Sequence, residues 1–529
     1  MARLALRRPA ACALALGLVS ACGFEPLRLW PLLLLALAGL IGLIARAPGW
    51  KQAALVGWLF GLGHFALGIN WIATAFTYQS NMPAGLGWLA VVLLAGYLAV
   101  YPMLAALGAW WCARRGEGAL VPAFAALWII TEWLRGWVFT GFPWNPLAVA
   151  ALGNADSAGL AGSARWTGTY GLSGLVVLAA GLGILSPRLM AGLNPARRRL
   201  AWLPLAGLAM ALVAGMVLPS QPWHDRGRHV PYSLVQPDIR QEVLNEPEHF
   251  EAHFQKTARL SISGWKGGDR LLLWPESGVP DYLREGYPPA LYEGNTFAAD
   301  PVAARARLGV TAGPGALLLT GATDLDIGQG RIRGARNVVT VMDGKGAIRA
   351  SYAKAHLVPY GEYLPMRSLL EPLGLSRLVP GSIDFLPGPG PQTLDLGRYG
   401  KVGVQICYEI VFSGAVADRA NRPDFVFNPS NDGWFGAWGP PQQLAQARLR
   451  AIEEGLPVLR ATTTGISAVI APNGVVERVI PRHTARRIDG LVPAAAPPTA
   501  FARWGNMLPL GLAIALLLVS AIAMRRRQS

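Results

Sequence analysis

Uncharged apolar runs crowd the first 220 positions of the chain and return once near its end; the stretch between alternates short β-rich runs with helical ones. A membrane span takes about 20 mostly apolar residues. Runs of that kind fall at about 9–22, 29–45, 53–74, 87–112, 119–138, 170–187 and 200–218, with an eighth at about 505–524. The pattern predicts an α-helical membrane domain of about eight transmembrane helices. Seven belong to an N-terminal domain at 1–220, and the eighth, with a basic tail, occupies 501–529.

Residues 221–500 read differently. Ser233–Gln236, Arg270–Trp274, Ala316–Thr320, Val402–Ile406 and Asp424–Asn428 have the composition of buried strands. Asn337–Met342 and Ala347–Ala353 flank Asp343-Gly344, a hairpin signal. Gln442–Glu454 carries helical apolar spacing and Val458–Ala461 is extended; Ile466–Ala471 and Val475–Ile480 flank a second turn. Strands followed by helices, with several hairpins, predict a separate α/β domain with mixed sheets. The Leu-, Pro- and Gly-rich stretch Arg367–Pro391 reads as a long loop, expected to act as a lid.

Charge sharpens this division. The net charge of +16 would suit a nucleic-acid binder, yet residues 221–500 hold 29 Lys+Arg against 27 Asp+Glu, and the rest of the chain holds 18 against 4. The basicity therefore sits beside the apolar segments, where it sets topology and meets anionic lipid, and a nucleic-acid partner is not expected. Arg7, Arg8, Arg46, Lys51, Arg114, Arg115, Arg188, Arg197 to Arg199 and Arg525 to Arg527 mark alternate connections, whereas Thr77–Gly85 has no Lys or Arg. Both termini are expected inside, with residues 221–500 outside. Val19-Ser20-Ala21-Cys22 resembles a lipoprotein cleavage box, but a retained first helix is the simpler reading. Trp133, Trp137, Phe139, Phe142, Pro143 and Trp144 fit an interfacial aromatic belt, with Glu132 and Arg135 as an interfacial pair.

Of the four cysteines, Cys12, Cys22 and Cys112 lie in or beside apolar segments, and Cys407 stands alone in the polar domain. That domain can form no internal disulfide, and no Cys/His spacing suits a metal. Three segments bear on chemistry. Leu271-Leu272-Leu273-Trp274-Pro275-Glu276 is an apolar strand ending in a carboxylate. Tyr352 to Glu362 carries Lys354 and Glu362. Val402 to Glu409 is an apolar strand delivering Cys407. A lone cysteine after a strand is commonly a small core residue. A cysteine nucleophile, however, needs a base and cationic or hydrogen-bonding help, and Glu276 and Lys354 supply both.

These segments resemble the Glu–Lys–Cys signature of the nitrilase superfamily, and the flanking spans narrow the resemblance to the apolipoprotein N-acyltransferases. Further matches are Val235-Gln236, Asn337, Lys354 through Pro365, Ser430 to Gly436, Arg448 to Glu453 and Arg460-Ala461-Thr462. The resemblance implies a nitrilase-like αββα sandwich for 221–500, carried on the periplasmic side of a bacterial inner membrane. It also implies Glu276 as general base, Lys354 as oxyanion stabiliser and Cys407 as nucleophile, with Glu362 and Glu409 as supporting acids that orient Lys354 and the Tyr408 amide as second oxyanion donor. Asn337 reads equally as a turn residue or a site residue. Leu244-Asn245 stand where the family often has a Trp, a departure confined to the loop Arg240–Glu248.

On this reading Lys354 favours the Cys407 thiolate, which takes an acyl chain from a phospholipid, with phosphatidylethanolamine the expected donor. The acyl chain passes through a thioester to the N-terminal amine of a diacylglyceryl apolipoprotein. No cofactor or metal is expected. A membrane-tethered nitrilase-type amidase is the alternative enzyme. A transporter is the non-enzymatic one, and the scarcity of ionisable residues in the spans argues against it.

Overall fold

The computed structural model describes residues 8–78, 83–191, 206–207, 209–221, 223, 230–264, 266–329, 331–373 and 383–525. They fall into two units. One comprises Met1–Ala73, Gly85–Gln221 and Pro498–Ser529; the other comprises Thr74–Ala84 and Pro222–Pro497.

In the first unit, the Leu- and Ala-rich runs form helices at Pro9–Ala21, Trp30–Arg46, Trp50–Gly68, Leu86–Leu98, Val100–Ala113, Leu120–Arg135, Ala164–Ala191 and Met507–Arg525. Seven of the eight expected spans coincide with these helices, while most of 192–208 lies outside the described residues. Among the described residues, two helices are long and apolar enough to cross a membrane, Leu86–Ala113 and Met507–Arg525, or three if Trp50–Gly68 and Ile72–Tyr78 make one bent span. The expected eight exceeds that number. Pro9–Ala21 has 13 residues and Leu120–Arg135 has 16; at 1.5 Å per residue both fall short of a core about 30 Å thick.

Small residues bring these helices close. A Cβ on Gly57 would lie 2.6 Å from the Ala106 Cβ, and one on Gly61 would lie 2.7 Å from the Ala99 Cα, so this spacing of four lets backbones meet. The C-terminal helix joins the same core, with Ala513 packed among Ala126, Ile129 and Tyr170. Glu132 and Arg135 are both buried and form an ion pair at 3.8 Å. Arg135 donates to the Phe142 and Trp144 carbonyls at 2.8 and 2.7 Å, and the Leu147 N–H donates to Glu132 at 3.1 Å. The pair thus fixes the turn at 142–147, because those backbone groups need partners once buried.

The second unit is built on β1 (Pro231–Gln236), β2 (Leu271–Leu273), β3 (Leu317–Gly328), β4 (Arg331–Asp343), β5 (Ile348–Ala353), β6 (Thr393–Asp395), β7 (Lys401–Val404), β8 (Phe425–Ser430), β9 (Val458–Thr462), β10 (Ser467–Ile470), β11 (Val476–Ile480) and β12 (Arg486–Leu491). They make two six-stranded sheets, ordered β12-β1-β2-β3-β4-β5 and β11-β10-β9-β8-β7-β6. Each has three adjacent parallel strands, β1-β2-β3 and β7-β8-β9, with antiparallel strands outside them.

Period-two burial explains the layers. Leu272, Leu318 and Met342 stand side by side across β2, β3 and β4 and pack with Ala304, Leu308 and Ala312 of the helix Pro301–Ala312. Leu271, Leu273, Leu319 and Val341, on the opposite face of the sheet, are buried as well. A sheet buried on both faces needs a cover on each, and here one cover is helical. Gln236 of β1 accepts from Thr462 of β9 at 2.9 Å, which ties the two sheets together. The helix Gly439–Glu454 is almost entirely buried, so it is a core element and not an amphipathic surface one. Within the expected lid, Arg367–Leu370 forms a single helical turn, and 374–382 lie outside the described residues.

Candidate active site

The site is assembled where strands end. β2 delivers Glu276 three residues past Leu273, β5 delivers Lys354 immediately after Ala353, and β7 leads through Gln405 and Ile406 to Cys407. Glu276, Lys354, Glu362, Cys407 and Glu409 are all buried.

Lys354 Nζ lies 2.9 Å from Glu362 Oε1 and 3.5 Å from Glu276 Oε1. Asn337, on β4, donates from Nδ2 to the same two oxygens, at 2.8 Å to Glu276 and 3.1 Å to Glu362. It lies within the strand rather than in a turn, and it joins the two carboxylates. The remaining oxygens are also held: Glu276 Oε2 accepts from the Asn431 N–H at 2.8 Å, and Glu362 Oε2 from the Val358 N–H at 2.7 Å. Burial alone would disfavour the Lys354 ammonium, but Glu362 and Glu276 together outweigh it and hold its pKa above the ordinary lysine value.

Glu409 does something other than orient Lys354. Its Oε1 accepts from the Tyr352 hydroxyl at 2.9 Å and from the N–H groups of Ala355 and His356 at 2.7 and 3.1 Å. Its Oε2 accepts from the Ile406 N–H at 2.7 Å. One carboxylate thereby fastens the backbone after β5 to the backbone before Cys407. Burial pushes its pKa up to about 7, against the donors that favour its charged form.

Two local features of the site are not written in the motifs. Cys407 has a φ of +52°, in the left-handed region, and opens the short 3₁₀ helix Cys407–Val411. A non-glycine residue held there marks stored strain, a recurrent property of nucleophiles at strand-to-helix turns. Gly321 of β3 is the second. A Cβ there would fall 2.7 Å from the Glu276 Cα, so only glycine lets the segment bearing the carboxylate pass. A close approach of this kind joins residues 45 positions apart, which no local pattern reports.

The surroundings of the thiol favour its neutral form. Burial pushes its pKa up to about 12, Glu276 adds to the rise, and Lys354 offsets only part of it. With two carboxylates already facing one ammonium, a further anion is disfavoured until negative charge moves elsewhere. Lys354 favours the thiolate by charge, as expected of a cation, but burial and Glu276 weigh more against it.

Among the described residues, one group has its ligand atoms close enough for a metal: Glu246, Glu248 and His249. It lies on the surface and none of its members belongs to this site.

Comparison with known proteins agrees along the chain. Residues 16–182 match the profile of the apolipoprotein N-acyltransferase N-terminal domain, and residues 233–485 match that of the carbon-nitrogen hydrolases. Apolipoprotein N-acyltransferase from Rhodopseudomonas palustris is 34% identical over 97% of this chain and 95% of its own. The chain belongs to the apolipoprotein N-acyltransferase family. Two further relatives of that name agree. The one from Nitrosomonas europaea is 33% identical over 97% of this chain and 96% of its own; the one from Ralstonia nicotianae is 34% identical over 99% and 94%. Among solved structures, a nitrilase-superfamily amidase from Nesterenkonia aligns over 51% of this chain and 92% of its own, with 20% identity and a TM-score of 0.35. For an N-acyltransferase the carbon-nitrogen hydrolase unit is the part that bears the cluster of Glu276, Lys354 and Cys407, since all three fall inside the matched range.

Proposed function

We propose that this protein transfers an acyl chain from a membrane phospholipid to the N-terminal amine of diacylglyceryl apolipoproteins, through a thioester on Cys407. The observation that carries the reading is the convergence of Glu276, Lys354 and Glu362 in one buried network beside a cysteine on a strained turn. It occurs in a chain related over nearly its full length to named apolipoprotein N-acyltransferases.

In the first half-reaction the Cys407 sulfur attacks the ester carbonyl of the phospholipid as its proton passes to Glu276. Because the thiol is neutral at rest, attack and proton transfer are coupled. Negative charge moves from Glu276 to the carbonyl oxygen, where the Lys354 ammonium and the Tyr408 amide receive it. Glu276 then protonates the departing lysophospholipid oxygen, and the thioester remains. In the second half-reaction the acceptor amine attacks the thioester and gives a proton to Glu276. The sulfur leaves, regains that proton, and an amide is released. Protons and charge return to the starting state without a cofactor.

Glu362 and Asn337 hold Lys354 and Glu276 at a fixed separation, and Glu409 holds the backbone on either side of the nucleophile. Phosphatidylethanolamine is the proposed donor. The enzyme is proposed to be a multi-pass protein of the bacterial inner membrane, both termini inside and residues 221–500 on the periplasmic side; the placement of Lys and Arg supports this. The alternative amidase, acting on a small soluble amide, has no use for a region matching an N-acyltransferase N-terminal domain.

Mass spectrometry of the purified protein incubated with phospholipid tests the reading. An acyl adduct is expected on the Cys407 peptide and on none from Cys407→Ala. Active enzyme that never carries the adduct would exclude a covalent route.

A further inference from the structure

Beneath Cys407 lies a polar cluster that the acid–base steps do not use. Arg460, on β9, is wholly buried. Its guanidinium donates to Asn428 Oδ1 at 2.5 Å, Asp432 Oδ1 at 2.5 Å, Gln443 Oε1 at 3.0 Å and the Ile466 carbonyl at 3.2 Å. Asp432, equally buried, balances its charge.

A guanidinium has donors only. Each amide that faces it must present oxygen, which turns the NH₂ the other way. The orientation of an amide is commonly ambiguous, but here the cation settles it twice. The Asn428 NH₂ is turned onto backbone at the nucleophile turn, 2.6 Å from the Gln405 carbonyl and 3.5 Å from that of Cys407. The Gln443 NH₂ is turned onto the nucleophile itself, with Nε2 3.9 Å from Cys407 Sγ. Gln443 is buried and comes from the core helix Gly439–Glu454, so its reach is fixed by packing.

We propose that Gln443 is an N–H donor to the Cys407 sulfur, and that Arg460 is the positioning residue that holds it in that orientation. An N–H group stabilises sulfur most when the sulfur carries negative charge. That charge develops twice in the cycle, when sulfur attacks and when it leaves the thioester. The contact therefore lowers both barriers more than it stabilises the resting thiol. This inference rests on Cys407 being the acyl-carrying nucleophile.

The test is alkylation of Cys407 by iodoacetamide at pH 8, followed on the Cys407 peptide of the full-length protein. Wild type is compared with Gln443→Met and Gln443→Glu, which keep the approximate size of the side chain. Gln443→Met is expected to react about tenfold more slowly, from the loss of one charge-assisted donor. Gln443→Glu is expected to be slower still, because it sets a carboxylate against the sulfur. The phospholipid KM should stay within about twofold of wild type while the rates of both half-reactions fall.

A purely packing role predicts the opposite order, since Gln443→Glu best preserves the shape and the bond to Arg460. Equal rates, or a Gln443→Glu protein as fast as wild type, would overturn the proposal. Either variant that unfolds cooperatively decides the matter, and failure of both to fold would assign Gln443 to the core alone and overturn it too. Alkylation does not require acyl transfer. A missing acyl adduct would thus remove the nucleophile reading while the alkylation series still reports on the donor.

Discussion

Asn337 divides its one NH₂ between two carboxylates, and this gives it leverage on the whole site. Without it, Glu276 and Glu362 would face each other with only Lys354 between them. Asn337→Leu removes both donors at similar bulk. Each hydrogen bond to a charged acceptor is worth roughly 1.5–3 kcal/mol, so the single-turnover acylation rate should fall by about a hundredfold or more. A variant within twofold of wild type would deny Asn337 this part. Glu276, Lys354 and Cys407 were legible as residues because each ends an apolar run and matches a known signature. What the residues would touch was less legible. The resemblance implies that Glu409 is a supporting acid that orients Lys354 and tunes the site. Its acceptors instead meet Tyr352 and three backbone N–H groups, contacts made only when two strand ends meet.

At the level of elements, the turn at Cys407 joins β7 to a 3₁₀ helix by way of a left-handed residue, at a cost of about 1–2 kcal/mol for any side chain with a Cβ. Cys407→Gly should therefore unfold at a higher temperature than Cys407→Ala, corresponding to roughly 1 kcal/mol at the midpoint, and neither is expected to transfer acyl chains. Equal stabilities would mean that the turn stores no strain. The strands themselves followed from apolar runs bounded by turn residues, and the hairpin at Asp343-Gly344 lies between β4 and β5 as its sequence indicates. The order of strands did not follow, because pairing joins segments as distant as Pro231 and Leu491. The partners of the buried pair Glu132 and Arg135 are hidden from the sequence for a similar reason: they lie in a turn that folds back on the same helix.

For the molecule as a whole, two buried carboxyls make stability fall as pH rises toward neutrality, against His253 and His356, whose lowered pKa values act the other way. Burial pushes Glu409 up to about 7; burial and the neighbouring Glu453 push Glu454 up to about 7 as well. Both values lie above those of the unfolded chain, so the folded state holds these protons more tightly. Their contribution to stability is greatest at low pH and is lost as pH rises through about 7, on the order of 3 kcal/mol for each group. The carbon-nitrogen hydrolase unit should melt at a higher temperature at pH 6 than at pH 8, and Glu454→Gln should flatten that dependence. A melting temperature that rises over the same interval would contradict it. The division into an apolar and a polar region was plain from hydropathy, since it needs only composition. That the polar unit also claims Thr74–Ala84 was not, because this short segment lies between two apolar helices. Tyr78 meets Trp434 edge to face, with ring centroids 5.7 Å apart, and Thr74 leaves no room for a Cβ at Gly436. The consequence is one of timing. A ribosome that adds about 5–20 residues per second makes Tyr78 some tens of seconds before Trp434, so a piece of this unit must wait, unpaired, until most of the chain has been made.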